Sequence, residues 1–458
     1  MHLFLKGLLY SKLSADNIYC VLPNWARASN QIVGQASARL LADLPVGVVM
    51  STVNNDLNPN SPALFNDLII TMAYILDVQE DPCPYHAWRV GAVSAIMAEQ
   101  LMPEHATDVF YAGLLHDIGA MGSFSHMMRF PTLNSQKAKP EVVAHPHRGS
   151  KIIGSITGMS LAAEFIADHH EWWNGCGYPL RKSEDMISLG AQIIRIADTA
   201  DLGRKFHSES SPDQAVETAR LLENIEISQD VADVFCKVVS REDFFGRLSD
   251  DSKLLELVRE ISTRMTPLRL PRNSDMLGSL LTVAAKMIDS KHCYSSGHSA
   301  RVAGYAIDLG IALGLTHDEI TKIRFAGLLH DAGKVAVRKS IIDKTGPLSP
   351  AEFLFVKNHP VLSMEILRDI ARLPELAQIA LHHHERWDGA GYPNGLKGDE
   401  IPLLSRVLAV ADSMEAITAQ RSYKPARTVR EALEILRMAS GTQLDPQIVE
   451  AAFSIWER

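Results

Sequence analysis

The sequence is poor in cysteine for its length. Five cysteines (Cys20, Cys83, Cys176, Cys236 and Cys293) are scattered over 458 residues, with no C-x-x-C pair. That excludes a disulfide scaffold and thiolate zinc modules, and predicts reduced thiols. Long apolar runs are also missing. Leu40–Val53 is broken by Asp43 and Pro45 and is too short to span a bilayer. The start, MHLFLKGLLYSKLSADN, is interrupted by Lys6 and lacks a cleavage region, so it makes a poor signal peptide. These absences predict a cytoplasmic protein without a membrane partner. An excess of basic charge is lacking too. The net charge is −9, which gives no field to attract a nucleic acid polymer. A small anion stays open as a partner, because local positive charge or bound metal overrides the global sign.

Strand-like alternation is scarce, whereas helical spacing runs almost throughout. Leu68, Ile69, Met72, Ile75 and Leu76 share one helix face, as do Leu277, Leu280, Leu281, Ala284 and Met287. The turn signals Asn-Gly at 174–175 and 394–395 sit between such stretches. The pattern predicts an all-α protein of two tandem helical bundles, with domains at 66–245 and 275–458. Residues 246–274 read as a helical segment ending in a Pro-containing linker, and residues 1–65 match neither bundle.

What the chain does have is a set of imidazoles and carboxylates that occurs twice. The second copy carries His298, His330-Asp331, His359, His383 and Asp412, at steps of 32, 29, 24 and 29 residues. The first carries His86, His116-Asp117, His145, His169 and Asp198, at steps of 30, 29, 24 and 29. His170 and His384 extend each set by one neighbour. Any one of these histidines is best read as a hydrogen-bonded core or surface residue. Together, at matched spacing, they point to a duplicated metal-ligating unit. Histidine beside carboxylate, with no thiolate, suits borderline divalent metals, and each set is large enough for two ions.

The motifs around the second set carry a family resemblance. GHSARV, LLHDAGK, the His359-Pro360 step, HHERWDGAGYP and VADSMEAITAQRSYK follow one another over about residues 275–455. This stretch resembles an HD-GYP domain, the helical phosphodiesterase module that degrades cyclic dinucleotides. The resemblance implies metal ligation by His298, His330, Asp331, His359, His383, His384 and Asp412, with Asp331 the bridge. It implies two ions, iron or manganese, with nickel, cobalt or zinc as alternatives. Tyr294 stands where some relatives have an acidic ligand to a third ion. Asp331 and Lys334 are the expected catalytic groups, and Tyr392, Arg421 and Lys424 the expected substrate contacts. His382 is expected to be structural, and Asp343, Lys344, Gly346, Pro347 and Glu352 to form a structural or lid loop. The implied substrate is cyclic di-GMP, cut to pGpG or GMP, or 3′3′-cyclic GMP-AMP. A homodimer or a signalling-protein partner is implied as well. A non-catalytic cyclic-dinucleotide receptor and a broader HD-type nucleotide phosphohydrolase are the competing functions.

The first copy keeps its whole candidate ligand set and Gly177-Tyr178-Pro179, but Ala120 replaces the lysine. His207 and Ser210 stand opposite Arg421 and Lys424, and Asn174 stands opposite Asp388. Three expected phosphate-facing cations are thus missing. A second working enzyme, a metal-loaded regulatory or packing domain, and a degenerate scaffold all stay open. The regulatory or structural reading is preferred, because drift would have damaged the ligands too.

Overall fold

The computed structural model describes residues 62–77, 85–123, 130, 132–204, 211–265, 276–290, 297–344, 346–371, 373–420 and 426–457. Tyr294, Arg421, Lys424, His207, Ser210, the linker prolines and nearly all of 1–65 lie outside them. Among the described residues every regular element is helical. The one exception to helix is a pair of isolated bridges, Glu223 with Ile227 and Ser440 with Leu444. The all-α expectation is met. No helix among the described residues is long and apolar enough to cross a membrane.

Contacts group these residues into two compact units, the first running to Met287 and taking in 370–371, the second made of Ile288–Asp369 and the residues from Leu373 onward. The first contains α1 (Pro62–Asp77), α2 (His86–Leu101), α3 (Ala106–Leu115), α4 (Pro140–Gly154) and α5 (Ser160–Asp168). It continues with α6 (Leu189–Arg204), α7 (Pro212–Leu222), α8 (Gln229–Val239), α9 (Glu242–Ser249) and α10 (Asp251–Arg264). After α11 (Met276–Ser290), the second contains α12 (His298–Ala312), α13 (His317–Leu329), α14 (Pro350–Lys357) and α15 (His359–Glu365). It ends with α16 (Pro374–Leu381), α17 (Leu403–Thr418), α18 (Val429–Ala439) and α19 (Pro446–Trp456).

The two units repeat one packing scheme. In the first, α2 packs on α3 and α6; in the second, α12 packs on α13 and α17. Val302, Ala306 and Leu309 of α12 are buried, as are Val407, Leu408 and Met414 of α17. Each larger apolar side chain contributes about 1.5–3 kcal/mol on burial, which outweighs the modest helix propensity of the β-branched residues. Helix starts follow local sequence. Thr316 with Glu319, Ser349 with Glu352 and Thr428 with Glu431 each form a reciprocal capping box.

One boundary differs from the expected organisation. Helices α9 and α10, placed by sequence largely in a connecting segment, belong to the first unit. Helix α10 is amphipathic, buries Leu254, Leu257, Val258 and Ile261, and packs on α1 and α2. The apolar face that makes it a helix also fixes it to the bundle.

Candidate metal centre

Each candidate ligand of the second set is delivered at a helix end or by the one helix that crosses the site. His298 opens α12. A carboxylate from the preceding helix holds that start, Asp289 accepting the Ser299 N–H at 3.2 Å and the Ser299 hydroxyl at 2.7 Å. The first copy uses the same device, with Asp77 accepting the Ala87 N–H at 2.8 Å. His359 opens α15, His383 and His384 directly follow α16, and Asp412 lies within α17.

The His330-Asp331 pair closes α13, which stops at Leu329, and the chain then tightens into a 3₁₀ turn over Ala332–Ala336. The cause is close packing at Gly333. A Cβ there would stand 2.2 Å from the His359 carbonyl oxygen and 2.5 Å from the Ser363 nitrogen. Gly119 meets the same constraint, with the His145 oxygen 1.9 Å from its hypothetical Cβ. Gly333→Ala is therefore expected to cost about 1–3 kcal/mol of stability and to push His359 out of place. Thermal denaturation with metal analysis checks both effects.

The seven residues of the second set converge. The carboxylate of Asp331 is divided between two groups of histidines. Its Oδ2 lies 3.6 Å from His298 Nε2 and 3.3 Å from His330 Nε2. Its Oδ1 lies 3.3 Å from His359 Nε2 and 4.0 Å from His383 Nε2. Asp412 Oδ1 is 3.6 Å from His298 Nε2. His298, His330 and Asp412 thus form one metal-sized group, and His359, His383 and His384 another.

The fit to metal can be judged from the ring nitrogens. His330, His359 and His383 donate Nδ1–H to the carbonyls of Gly327, Val356 and Ala380, at 2.9, 2.6 and 2.6 Å. That leaves the Nε2 lone pair of each facing the site. His330 Nε2 and Asp331 Oδ1 are buried with no hydrogen-bond partner among the described residues. Orphaned buried acceptors are rare unless something else satisfies them. The residues present fit a pair of divalent ions.

The electrostatics agree. Burial pushes the Asp331 carboxyl up, yet His330, Lys334 and His298 hold it well below the usual carboxylate range. Burial and neighbouring histidines keep His383 and His384 well below their ordinary values, so both rings are neutral, as ligands must be. His298 differs. Burial lowers it, but Asp331 and Glu415 raise it to about 10.

Glu415 is a partner that motif spacing did not single out. Its Oε2 accepts His298 Nδ1–H at 2.6 Å, and its Oε1 accepts Arg301 at 2.7 Å. The first copy repeats this with Asp201, 2.8 Å from His86 Nδ1 and paired with Arg89. The signal was present in sequence: Asp412-x-x-Glu415 matches Asp198-x-x-Asp201, and an arginine follows each first histidine by three. Removing an outer partner of a ligating histidine typically weakens metal affinity about 10–100-fold. Glu415→Ala is expected to lose that much, read by competition with a chelator.

Other positions have distinct places. Lys334 Nζ sits 2.5 Å from Asp331 Oδ2. Tyr392 is buried against His384, with ring centroids 5.0 Å apart, and Lys357 lies over its outer face at 5.0 Å. His382 has both nitrogens engaged, by the Gln378 carbonyl and by Asn394, and so braces the loop. Lys344 pairs with Glu352 at 2.7 Å, which ties the 343–352 loop to the start of α14. Glu385 accepts the backbone N–H groups of Asn394, Gly395 and Leu396 and so fixes the GYP loop. Cys176 and Cys236 are free thiols.

The first set converges in the same way. Asp117 Oδ2 lies 3.7 Å from His116 Nε2, and Asp117 Oδ1 lies 3.2 Å from His145 Nε2 and 3.9 Å from His169 Nε2. His86, His116 and Asp198 form one group, and Asp117, His145, His169 and His170 the other. Asn174 opposite Asp388 proves neutral for the turn. Asn174 Oδ1 accepts the Cys176 N–H at 2.9 Å, and Asp388 Oδ1 accepts the Ala390 N–H at 3.0 Å.

This doubled geometry coincides with a doubled family match. The model described as HD domain matches residues 71–221 and again 282–448. The chain belongs to the HD-domain family. Within it, this HD-domain chain is 31% identical over 309 residues to the 3′3′-cGAMP-specific phosphodiesterase 3 of Vibrio cholerae, covering 66% of this chain. That match spans 65% of the relative's own length. The 3′3′-cGAMP-specific phosphodiesterase 1 of the same organism is 26% identical over 418 residues, covering 88% of this chain and 94% of that one. A cyclic di-GMP phosphodiesterase of Thermotoga maritima is 37% identical over 179 residues, 39% of this chain and 49% of that one. Among solved structures, a cyclic GMP-AMP specific phosphodiesterase of V. cholerae (V-cGAP3) superposes with a TM-score of 0.60 at 25% identity. The superposition covers 85% of this chain and 96% of that one.

Proposed function

We propose that the second unit is a metal-dependent phosphodiesterase that hydrolyses a cyclic dinucleotide to a linear dinucleotide or to mononucleotides. The divided carboxylate of Asp331 carries this reading, since each oxygen serves a separate group of imidazoles. One ion would be held by His298, His330, Asp331 and Asp412, the other by Asp331, His359, His383 and His384. When bound, such a pair lowers the pKa of water and neutralises phosphate oxygens.

The protein's own contribution is placement and charge. Glu415 and the helix carbonyls keep His298, His330, His359 and His383 each in one orientation, with Nδ1–H donated away from the site. Burial keeps His383 and His384 neutral across physiological pH. Lys334, partly exposed beside Asp331, brings a positive charge to the edge where a phosphodiester would approach. Tyr392 stands against His384 with Lys357 over its ring, which adds an aromatic face and a second positive charge beside that ligand. Iron or manganese suits the mixed His/carboxylate set, with nickel, cobalt or zinc as further occupants. The first unit is assigned a regulatory or structural role, because Ala120 leaves it without the matching lysine.

Of the two candidate substrates, 3′3′-cyclic GMP-AMP is favoured over cyclic di-GMP. The two relatives that align over most of this chain bear that substrate in their names, while the Thermotoga relative aligns over one copy's length. The test is product analysis with the full chain loaded with manganese or iron, offered each dinucleotide separately. Cleavage is expected, and His116→Ala is expected to keep most of it. A fully metallated chain that cuts neither would reject the enzyme in favour of a receptor.

A further inference from the structure

The first unit has a cation that sequence comparison overlooked. Arg195 lies on α6, one turn before Asp198, and is buried. Its Nη1 stands 3.0 Å from His170 Nδ1 and 3.6 Å from Asp198 Oδ2. Glu226, also buried, anchors the guanidinium through Nε at 2.7 Å and Nη2 at 2.6 Å. Trp172 covers it, with the guanidinium carbon 5.7 Å from the ring centroid. The offset from Asp198 to Asp412 (412 − 198 = 214) puts Ala409 opposite Arg195, and the matching bridges Glu223–Ile227 and Ser440–Leu444 put Gln443 opposite Glu226.

This arginine changes what His170 can do. A guanidinium only donates hydrogen bonds, so His170 Nδ1 must accept. A neutral imidazole then carries its hydrogen on Nε2, which is buried and has no hydrogen-bond partner among the described residues. His116, His145 and His169 do the reverse, donating Nδ1–H to Gly113, Val142 and Ile166. Whichever nitrogen of His170 faced an ion, its lone pair is either taken by Arg195 or replaced by a proton. A fixed positive charge on the same ring also repels a dication. The group of Asp117, His145, His169 and His170 therefore does not fit a metal as its counterpart in the second unit does.

We infer that the first unit holds a single divalent ion, at His86, His116, Asp198 and Asp117, with the Arg195 guanidinium standing in for the other. The first copy is then a one-metal site with a built-in cation rather than a two-metal site stripped of lysine. The inference concerns metal load alone and does not depend on which dinucleotide the second unit cuts.

Manganese(II) is a suitable probe, used on the full chain. Bound manganese per chain is counted after dialysis, and electron paramagnetic resonance separates isolated ions from spin-coupled pairs. The native chain is expected to show one isolated ion beside the coupled pair of the second unit. Arg195→Ala/Glu226→Gln, which installs the residues of the second copy, is expected to gain one ion per chain and convert the isolated signal into a second coupled pair. A native chain with all its manganese in coupled pairs, or with no isolated ion, overturns the inference even if the double variant does not fold. So does a folded double variant with an unchanged count.

Discussion

Asp331→Asn is expected to abolish cyclic-dinucleotide hydrolysis and to strip manganese from the second unit. The substitution preserves shape but removes the charge on which both imidazole groups converge. Oδ2 and Oδ1 each lie 3.3 Å from a different histidine, His330 and His359. An amide offers only one acceptor, so it cannot serve both sides. The loss should exceed by far the roughly 10–100-fold effect of disturbing an outer partner such as Glu415. A change of pH should not rescue it. In the native chain burial pushes Asp331 up, but its cationic neighbours hold it well below the usual range, so it is ionised at any pH where the assay runs. Asp117→Asn in the first unit is the matched control. It should remove metal from that unit while turnover stays near native. Comparable loss of turnover from both variants would contradict the division of labour.

Much of this centre was legible in the sequence because ligand identity and spacing survive without knowledge of the fold. Matched intervals placed fourteen side chains in two sets, and in each unit the described side chains converge as the intervals implied. Helix starts were legible where capping chemistry is local, as at Thr316 and Glu319. The tight turn after His330 was not. It arises because Gly333 lets α15 approach within a distance no side chain tolerates, a contact between residues 26 apart in sequence (359 − 333). Arg195 was equally hidden. A lone arginine in a helix reads as a solvated face, and only burial beside Glu226 and Trp172 marks it as part of the site. The same holds for Glu415, whose role depends on a ring 117 residues away.

Lys334→Ala carries the second large effect, a fall in kcat of about 10²–10³, the typical loss when one preorganised donor to developing charge is removed. Two roles compete for this lysine. Its Nζ lies 2.5 Å from Asp331 Oδ2, so one role is to keep that carboxylate ionised and positioned. Even without the lysine, His330 and His298 favour the anion against the effect of burial, and ions bound there would do so more strongly still. That makes the lysine dispensable for metal binding once metal is present. Its side chain is 28% exposed, against 4% for Asp331, so it can leave the carboxylate to meet a phosphate at the rim of the site. Metal content is therefore expected to stay native in Lys334→Ala while kcat falls and KM changes less. Loss of metal in step with activity would assign Lys334 to positioning Asp331. The first copy supplies an internal comparison, because Ala120 already stands there and its carboxylate, Asp117, is 20% exposed. If lysine served only to hold the carboxylate, Asp117 should bind metal poorly for want of it, and Ala120→Lys should raise metal content. Under the phosphate role Ala120→Lys leaves the count unchanged, and without a second ion it confers no turnover.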